Sequence, residues 1–167
     1  MDAKRESEPT AMKIRAVVER KSEREIVATR TINGPARLVF EAWTRAELFR
    51  RWWVPKSFGI TLVACDLDAR AGGKYRLAFA TEGAPMEFFG RYLEVTPYSR
   101  IVWTNDEGGE GGAVTTVTFE ERGGQTLVVV SDLYPSKEAL EQGAGSMDGM
   151  PETLQQLEEL VVSLGAR

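Results

Sequence analysis

SMDGMPETLQQLEELVVSL, residues 146–164, is the stretch whose reading decides the fold. Within it Met147, Met150, Leu154, Leu157, Val161 and Leu164 recur at alternating intervals of three and four, which draws one apolar stripe along a helix. Glu152, Gln155, Gln156, Glu158 and Glu159 fill the remaining sides, so the helix is amphipathic and has to cover something. What precedes it reads mainly as strands, and its partner is therefore a curved sheet. Two methionines at the start put flexible thioethers where an irregular space or a ligand would be met, although core packing is the commoner reason for such a stripe.

Upstream of that helix, 60–66, 74–80, 86–95, 100–105, 114–121 and 125–133 are strand-like. Gly-rich and Pro-containing breaks separate them: Ala71-Gly72-Gly73, Gly83-Ala84-Pro85, Thr96-Pro97, 108–112 and Gly123-Gly124. Links this short favour a meander of hairpins, because parallel neighbours need crossovers of about a dozen residues. A first strand is expected at 25–32, where Ile26, Ala28, Arg30 and Ile32 alternate with Val27, Thr29 and Thr31. Asn33-Gly34-Pro35 ends it and starts a short helix with Pro in its first turn. Thr44 with Glu47 three residues later is a capping-box pattern, which predicts a second helix through Leu48, Phe49, Trp52 and Trp53 until Pro55 stops it. A helical turn is expected over 136–142. The order is one strand, two short helices, six strands and one long helix: an α+β chain whose seven-stranded antiparallel sheet curls around its last helix.

The totals bound the function. At 167 residues, 43% hydrophobic and 28% charged, the chain suits a single domain, and its net charge of −4 argues against a general nucleic-acid binder. The one cysteine, Cys65, excludes an intrachain disulfide and a thiolate cluster. The absence of His removes the commonest general base and zinc ligand, so any chemistry would use carboxylates, Tyr, Lys or Arg. Neither a metal nor a cofactor is expected. No stretch approaches the roughly 20 apolar residues of a membrane span, and no signal-peptide core opens the chain, so a cytoplasmic protein is expected. Residues 1–24 concentrate Lys4, Arg5, Lys13, Arg15, Arg20, Lys21 and Arg24 and read as a flexible basic leader before one domain over 25–167. Within the leader, 12–18 alternates enough for a short strand or a partner-binding arm.

The succession Ala36 to Phe40, Thr44, Trp52-Trp53-Val54-Pro55, Asp68-Ala69-Arg70-Ala71-Gly72-Gly73, Gly90, Glu94-Val95, Pro97 and Gly149-Met150 before Leu154 and Leu157 resembles one branch of the START-like helix-grip superfamily (SRPBCC, Bet v-like). That branch is named after the activator of the 90 kDa heat-shock protein ATPase, and the resemblance covers residues 25–164. Trp-Trp-x-Pro and Asp-x-Arg-x-Gly-Gly in this order are specific together and weak apart. The chain departs from the pattern at Met150, where members often carry Trp, and at Val54, where they often carry Gly; Pro151 also enters the closing helix. The resemblance implies a helix-grip fold with a cavity used by relatives for lipids, hormones, polyketides or aromatic compounds. It does not fix an activity.

Adjacent helical residues diverge by about 100°, so of Trp52 and Trp53 one should pack inward and the other sit near a rim, a geometry that also offers a gate with Phe58 between Pro55 and Gly59. Arg70 should reach a carboxylate or carbonyl within its turn. Tyr75, Leu77 and Phe79 share one strand face, as do Leu127, Val129, Ser131 and Leu133, and both sets are expected to face the helix. The stretch 86–95 is apolar on both sides; Phe88 and Tyr92 are taken as the inner pair, with Gly90 removing a side chain where helix or ligand comes close. A ligand site is thus expected from Trp53, Phe58, Tyr75, Phe79, Phe88, Tyr92, Trp103, Val129, Ser131, Met147 and Met150, each of which also suits plain core. Asp66, Arg76, Glu94, Asp132 and Tyr134 are the groups available for catalysis, but nothing in their spacing demands it.

Three functions follow. A small hydrophobic molecule held in a cavity between sheet and helix is the first choice. A co-chaperone-like interaction domain is the second; the eukaryotic activators add a large amino-terminal domain that a 24-residue leader does not supply, so a chaperone partner is not expected. A His-independent cyclase or hydrolase is the third. Unpaired sheet edges would also accommodate a homodimer.

Overall fold

Alternating apolar residues between Gly-rich turns give, in this computed structural model, an antiparallel meander that the final helix closes; residues 17–109 and 111–165 are described. In chain order the elements are β1 (Val17–Arg20), β2 (Glu25–Ile32), α1 (Ala36–Thr44), α2 (Ala46–Phe49), a 3-10 turn at Lys56–Phe58, β3 (Leu62–Leu67), β4 (Lys74–Phe79), β5 (Met86–Thr96), β6 (Arg100–Thr104), β7 (Val114–Arg122), β8 (Gln125–Leu133), α3 (Lys137–Gly143), a second 3-10 turn at Ala144–Met147, and α4 (Met150–Gly165). The sheet has eight strands in the order β1-β2-β8-β7-β6-β5-β4-β3. Every neighbouring pair is antiparallel. This is the helix-grip arrangement, with one strand more than the sequence suggested. The extra strand, Val17–Arg20, comes from the segment read as a leader and pairs with β2 from Val17↔Thr29 to Arg20↔Ile26. Residues 1–16 of that segment lie outside the described residues.

Three local expectations are corrected. The capping box does not form, because Thr44 Oγ1 donates back to the Phe40 carbonyl at 3.0 Å, and α2 is only four residues long. Pro35 precedes α1 rather than opening it, and the free Ala36 N–H donates to Glu121 Oε1 of β7 at 2.8 Å, so a distant carboxylate supplies the cap. The long helix begins at Met150, with Pro151 in its first turn where no N–H is needed, and Met147 falls in the preceding turn.

Helix α4 lies over the β1–β2 end of the sheet and against α1. Leu154 and Leu157 are fully buried there with Ile32, Val128 and Val130, and Val161 fills the space above Gly34. Its buried face is wider than the apolar stripe, since Thr153 and Gln156 are also enclosed. Arg30, on the inner face of β2, is 8% exposed and meets Glu158 Oε1 of α4 at 2.5 Å. Glu158 Oε2 also accepts from Asn33 N–H at 2.9 Å, which ties the helix to the end of β2. No helix among the described residues is long and apolar enough to cross a membrane.

Candidate functional site

Because α4 covers one end of the sheet, the other end is left concave. A pocket of about 900 Å³ lies there, floored by the inner faces of β4, β5, β6 and β8 and roofed by the 53–60 segment and the first turn of α4. Strand pleating decides which side chains reach it. From β4 come Tyr75, Leu77 and Phe79; from β5, Met86, Phe88 and Tyr92; from β6, Trp103; from β8, Val130 and Asp132. Gly90 sits between Phe88 and Tyr92, and a Cβ there would stand 2.0 Å from the Thr104 carbonyl oxygen and 2.9 Å from the Tyr75 ring. The approaching groups at Gly90 are therefore the backbone of β6 and the Tyr75 ring of β4, not the helix.

Aromatic rings form the deep wall. Trp52 is fully buried, its Nε1–H donating to the Ala42 carbonyl at 2.9 Å, while the adjacent Trp53 lines the pocket. Trp43 links them, with ring centroids 4.7 Å from Trp52, 5.8 Å from Trp53 and 5.9 Å from Trp103. Trp103 continues to Tyr75 at 6.2 Å, and Tyr75 to Tyr92 at 5.9 Å. All but the tilted Trp43–Trp103 pair are edge-to-face, and contacts of this kind and length suit aromatic quadrupoles and make the wall stiff.

The roof is held by polar teeth of α4. Gln156, 8% exposed, donates from Nε2 to the carbonyls of Trp52 at 2.9 Å and Val54 at 2.8 Å, and its Oε1 accepts from Lys56 N–H at 2.9 Å. Thr153 Oγ1 donates to the Trp53 carbonyl at 3.2 Å. Glu152 accepts from Ser57 N–H at 3.0 Å and from the Ser57 hydroxyl. These bonds hold the Glu152 carboxyl below its ordinary value, the Ser57 hydroxyl being the main cause. Phe58, 52% exposed, stands at the mouth against Gly149, where a Cβ would be 2.9 Å from its ring.

The polar groups of the floor form a chain. Tyr75 Oη–H donates to the Thr104 carbonyl at 2.8 Å, with Asn105 Oδ1 at 3.3 Å. Asn105 Nδ2 donates to the Ala113 carbonyl at 2.9 Å and to Thr115 Oγ1 at 3.0 Å, and Thr115 donates on to Asp132 Oδ1 at 2.7 Å. Burial pushes the Asp132 carboxyl upward, only partly offset by the Thr115 bond. Burial likewise pushes the phenols of Tyr75 and Tyr92 upward, so both stay neutral. Tyr134 Oη–H donates to the Gly143 carbonyl at 3.1 Å. Among the described residues no group of His, Cys, Asp and Glu could hold a metal ion.

Of the residues expected to contact a ligand, Trp53, Phe58, Tyr75, Phe79, Phe88, Tyr92, Trp103 and Met150 line this pocket. Val129, Ser131 and Met147 do not. Strand β8 presents Val128, Val130 and Asp132 inward, in register with Phe119, Val117 and Thr115 of β7, so Val129 and Ser131 lie on the opposite face, where Ser131 Oγ–H donates to Glu25 Oε2 at 2.6 Å. The Val128-Val129-Val130 run hides the phase of the alternation, and an aspartate in the inner set makes it look like the solvent side. Met147 is 2% exposed but packs into the core below the pocket wall. Among the catalytic candidates, Asp132 and Tyr134 face the pocket, whereas Asp66 and Arg76 pair with each other at 3.6 Å and Glu94 pairs with Arg100 at 3.2 Å away from it. Arg70 reaches Asp68 within its turn at 3.0 Å. Sequence reading missed Thr115, Asn105 and Gln156; a polar residue inside an otherwise apolar strand face was the available signal for Thr115, and none marked the other two.

The family model described as Activator of Hsp90 ATPase homolog 1-like protein matches residues 33–162. Among solved structures, a protein from Rhodobacter sphaeroides superposes with a TM-score of 0.79 at 19% identity, over 89% of this chain and 99% of that one. One from Nitrosomonas europaea gives 0.76 at 24% identity, over 89% and 100%. A solution structure from Staphylococcus epidermidis gives 0.73 at 30% identity, over 88% and 94%. No curated protein sequence matches the chain.

Proposed function

The chain belongs to the Activator of Hsp90 ATPase homolog 1-like family, and from that premise we propose that it binds a small apolar or aromatic molecule in the pocket between sheet and closing helix. The observation that carries this reading is the volume of about 900 Å³ behind a wall of Trp, Tyr and Phe rings. Ligand pockets span roughly 300–1,000 Å³ and are mainly apolar with a few placed polar groups, and this wall has that composition. Stiff rings and a roof bonded to α4 preorganise the space, which lowers the ordering cost of binding.

The test is thermal unfolding with a neutral aromatic probe such as 4-phenylbenzyl alcohol. A bound probe at a hundredfold excess over its dissociation constant stabilises the fold by about 2.7 kcal/mol, seen as a dose-dependent rise in midpoint. Met150→Trp, which places an indole in the pocket, should abolish that rise while leaving a cooperative transition. An unchanged midpoint across a panel of such probes, or an equal rise in the filled variant, overturns the reading.

A further inference from the structure

The charge of the pocket wall is one-sided. Asp132 stands on the floor and Glu107 at the exposed rim, and among the described residues the wall contains neither Lys nor Arg. Nearby guanidinium groups are engaged elsewhere: Arg30 with Glu158, Arg76 with Glu87, and Arg91 with Asp106. Asp132 thus has no cationic partner. Its Oδ1 accepts the Thr115 hydroxyl, and among the described residues no donor reaches its Oδ2. The donors that might have satisfied it are already committed, since the Tyr75 hydroxyl points to Thr104 and the Asn105 amide to Ala113 and Thr115.

A carboxylate on an apolar wall loses much of its solvation when a guest fills the space, so a guest that supplies a cationic partner is favoured over one that does not. Tyr75 and Trp103, whose rings touch at 6.2 Å, also line the floor, and ring faces attract cations. We propose that the pocket selects an apolar molecule carrying a basic nitrogen, an aryl or alkyl amine whose ammonium group pairs with Asp132, and that it discriminates against carboxylic acids such as free fatty acids. This deepens the reading of the pocket as a binding site and rests on it.

Calorimetric titration with three molecules of one shape separates the two claims: 4-phenylbenzylamine, 4-phenylbenzyl alcohol and 4-phenylbenzoic acid, at neutral pH. The amine should bind at least about tenfold more tightly than the alcohol, and the acid more weakly than both. Asp132→Asn keeps the shape and the Thr115 hydrogen bond; it should erase the advantage of the amine, so that amine and alcohol bind with the same affinity in the variant. Equal affinities for all three, preference for the acid, or an amine advantage that survives in Asp132→Asn overturns the charge preference and leaves the pocket reading standing. Failure of all three molecules to bind overturns both. The comparison of the three on the unaltered protein decides the matter even if the variant were to misfold.

Discussion

Two polar residues on the inner side of the fold carry opposite lessons about stability. Gln156 satisfies two carbonyls and one amide of the 52–56 segment at once. Gln156→Leu keeps the volume but leaves those groups unpaired, so urea unfolding should show a loss of about 2–4 kcal/mol. Hydrogen exchange at Lys56 should accelerate in the same variant. Asp132, in contrast, opposes folding at neutral pH. Its folded-state value lies above the unfolded one because burial disfavours the charge, so the folded chain holds its proton longer as pH rises and stability falls between the two values. Asp132→Asn should therefore raise the unfolding midpoint at neutral pH, and the gain should vanish below about pH 4, where both states are protonated. A gain that persisted in acid would show that packing, not charge, is responsible.

At the scale of elements, the attachment of α4 depends on the Arg30–Glu158 pair as well as on its apolar stripe. Glu158→Ala leaves a guanidinium enclosed without its partner and should cost about 3 kcal/mol by chemical denaturation. Replacing both, as Arg30→Met with Glu158→Leu, should come within about 1 kcal/mol of the parent. Strands β2 and β8 and the existence of the closing helix were legible in the sequence, because hydrophobic period and Gly-rich breaks are local signals. Strand β1 was legible only as one of two alternatives for 12–18, since the four exposed residues Val17 to Arg20 are held by their pairing with β2 and not by a buried face. The length of α2 was misjudged because Thr44 could bond either forward as a cap or back to Phe40, and only packing selects between them. Most of the pocket wall was legible as aromatic residues on strand faces, while the phase of β8 was not, because three consecutive valines carry no direction.

For the molecule as a whole, helix and sheet divide the interior into a packed end and an open end. Leu154, Leu157 and Val161 fill the first, and only Met150 and Thr153 of α4 reach the second. Gly149→Val should uncouple the two at their junction, because its side chain would overlap Pro55 and the Phe58 ring. Proteolysis should then cut the 55–60 segment faster, with the sheet's hydrogen exchange unchanged and the global unfolding energy within about 1 kcal/mol. The chain has four tryptophans, and Trp43, Trp52, Trp53 and Trp103 all stand in one ring cluster at the pocket. Their excited states are close enough to exchange energy, so ultraviolet emission from the whole protein reports on this single place. A guest that quenches Trp53 or Trp103 would dim the shared signal, and the native chain is thus its own label-free optical gauge of occupancy.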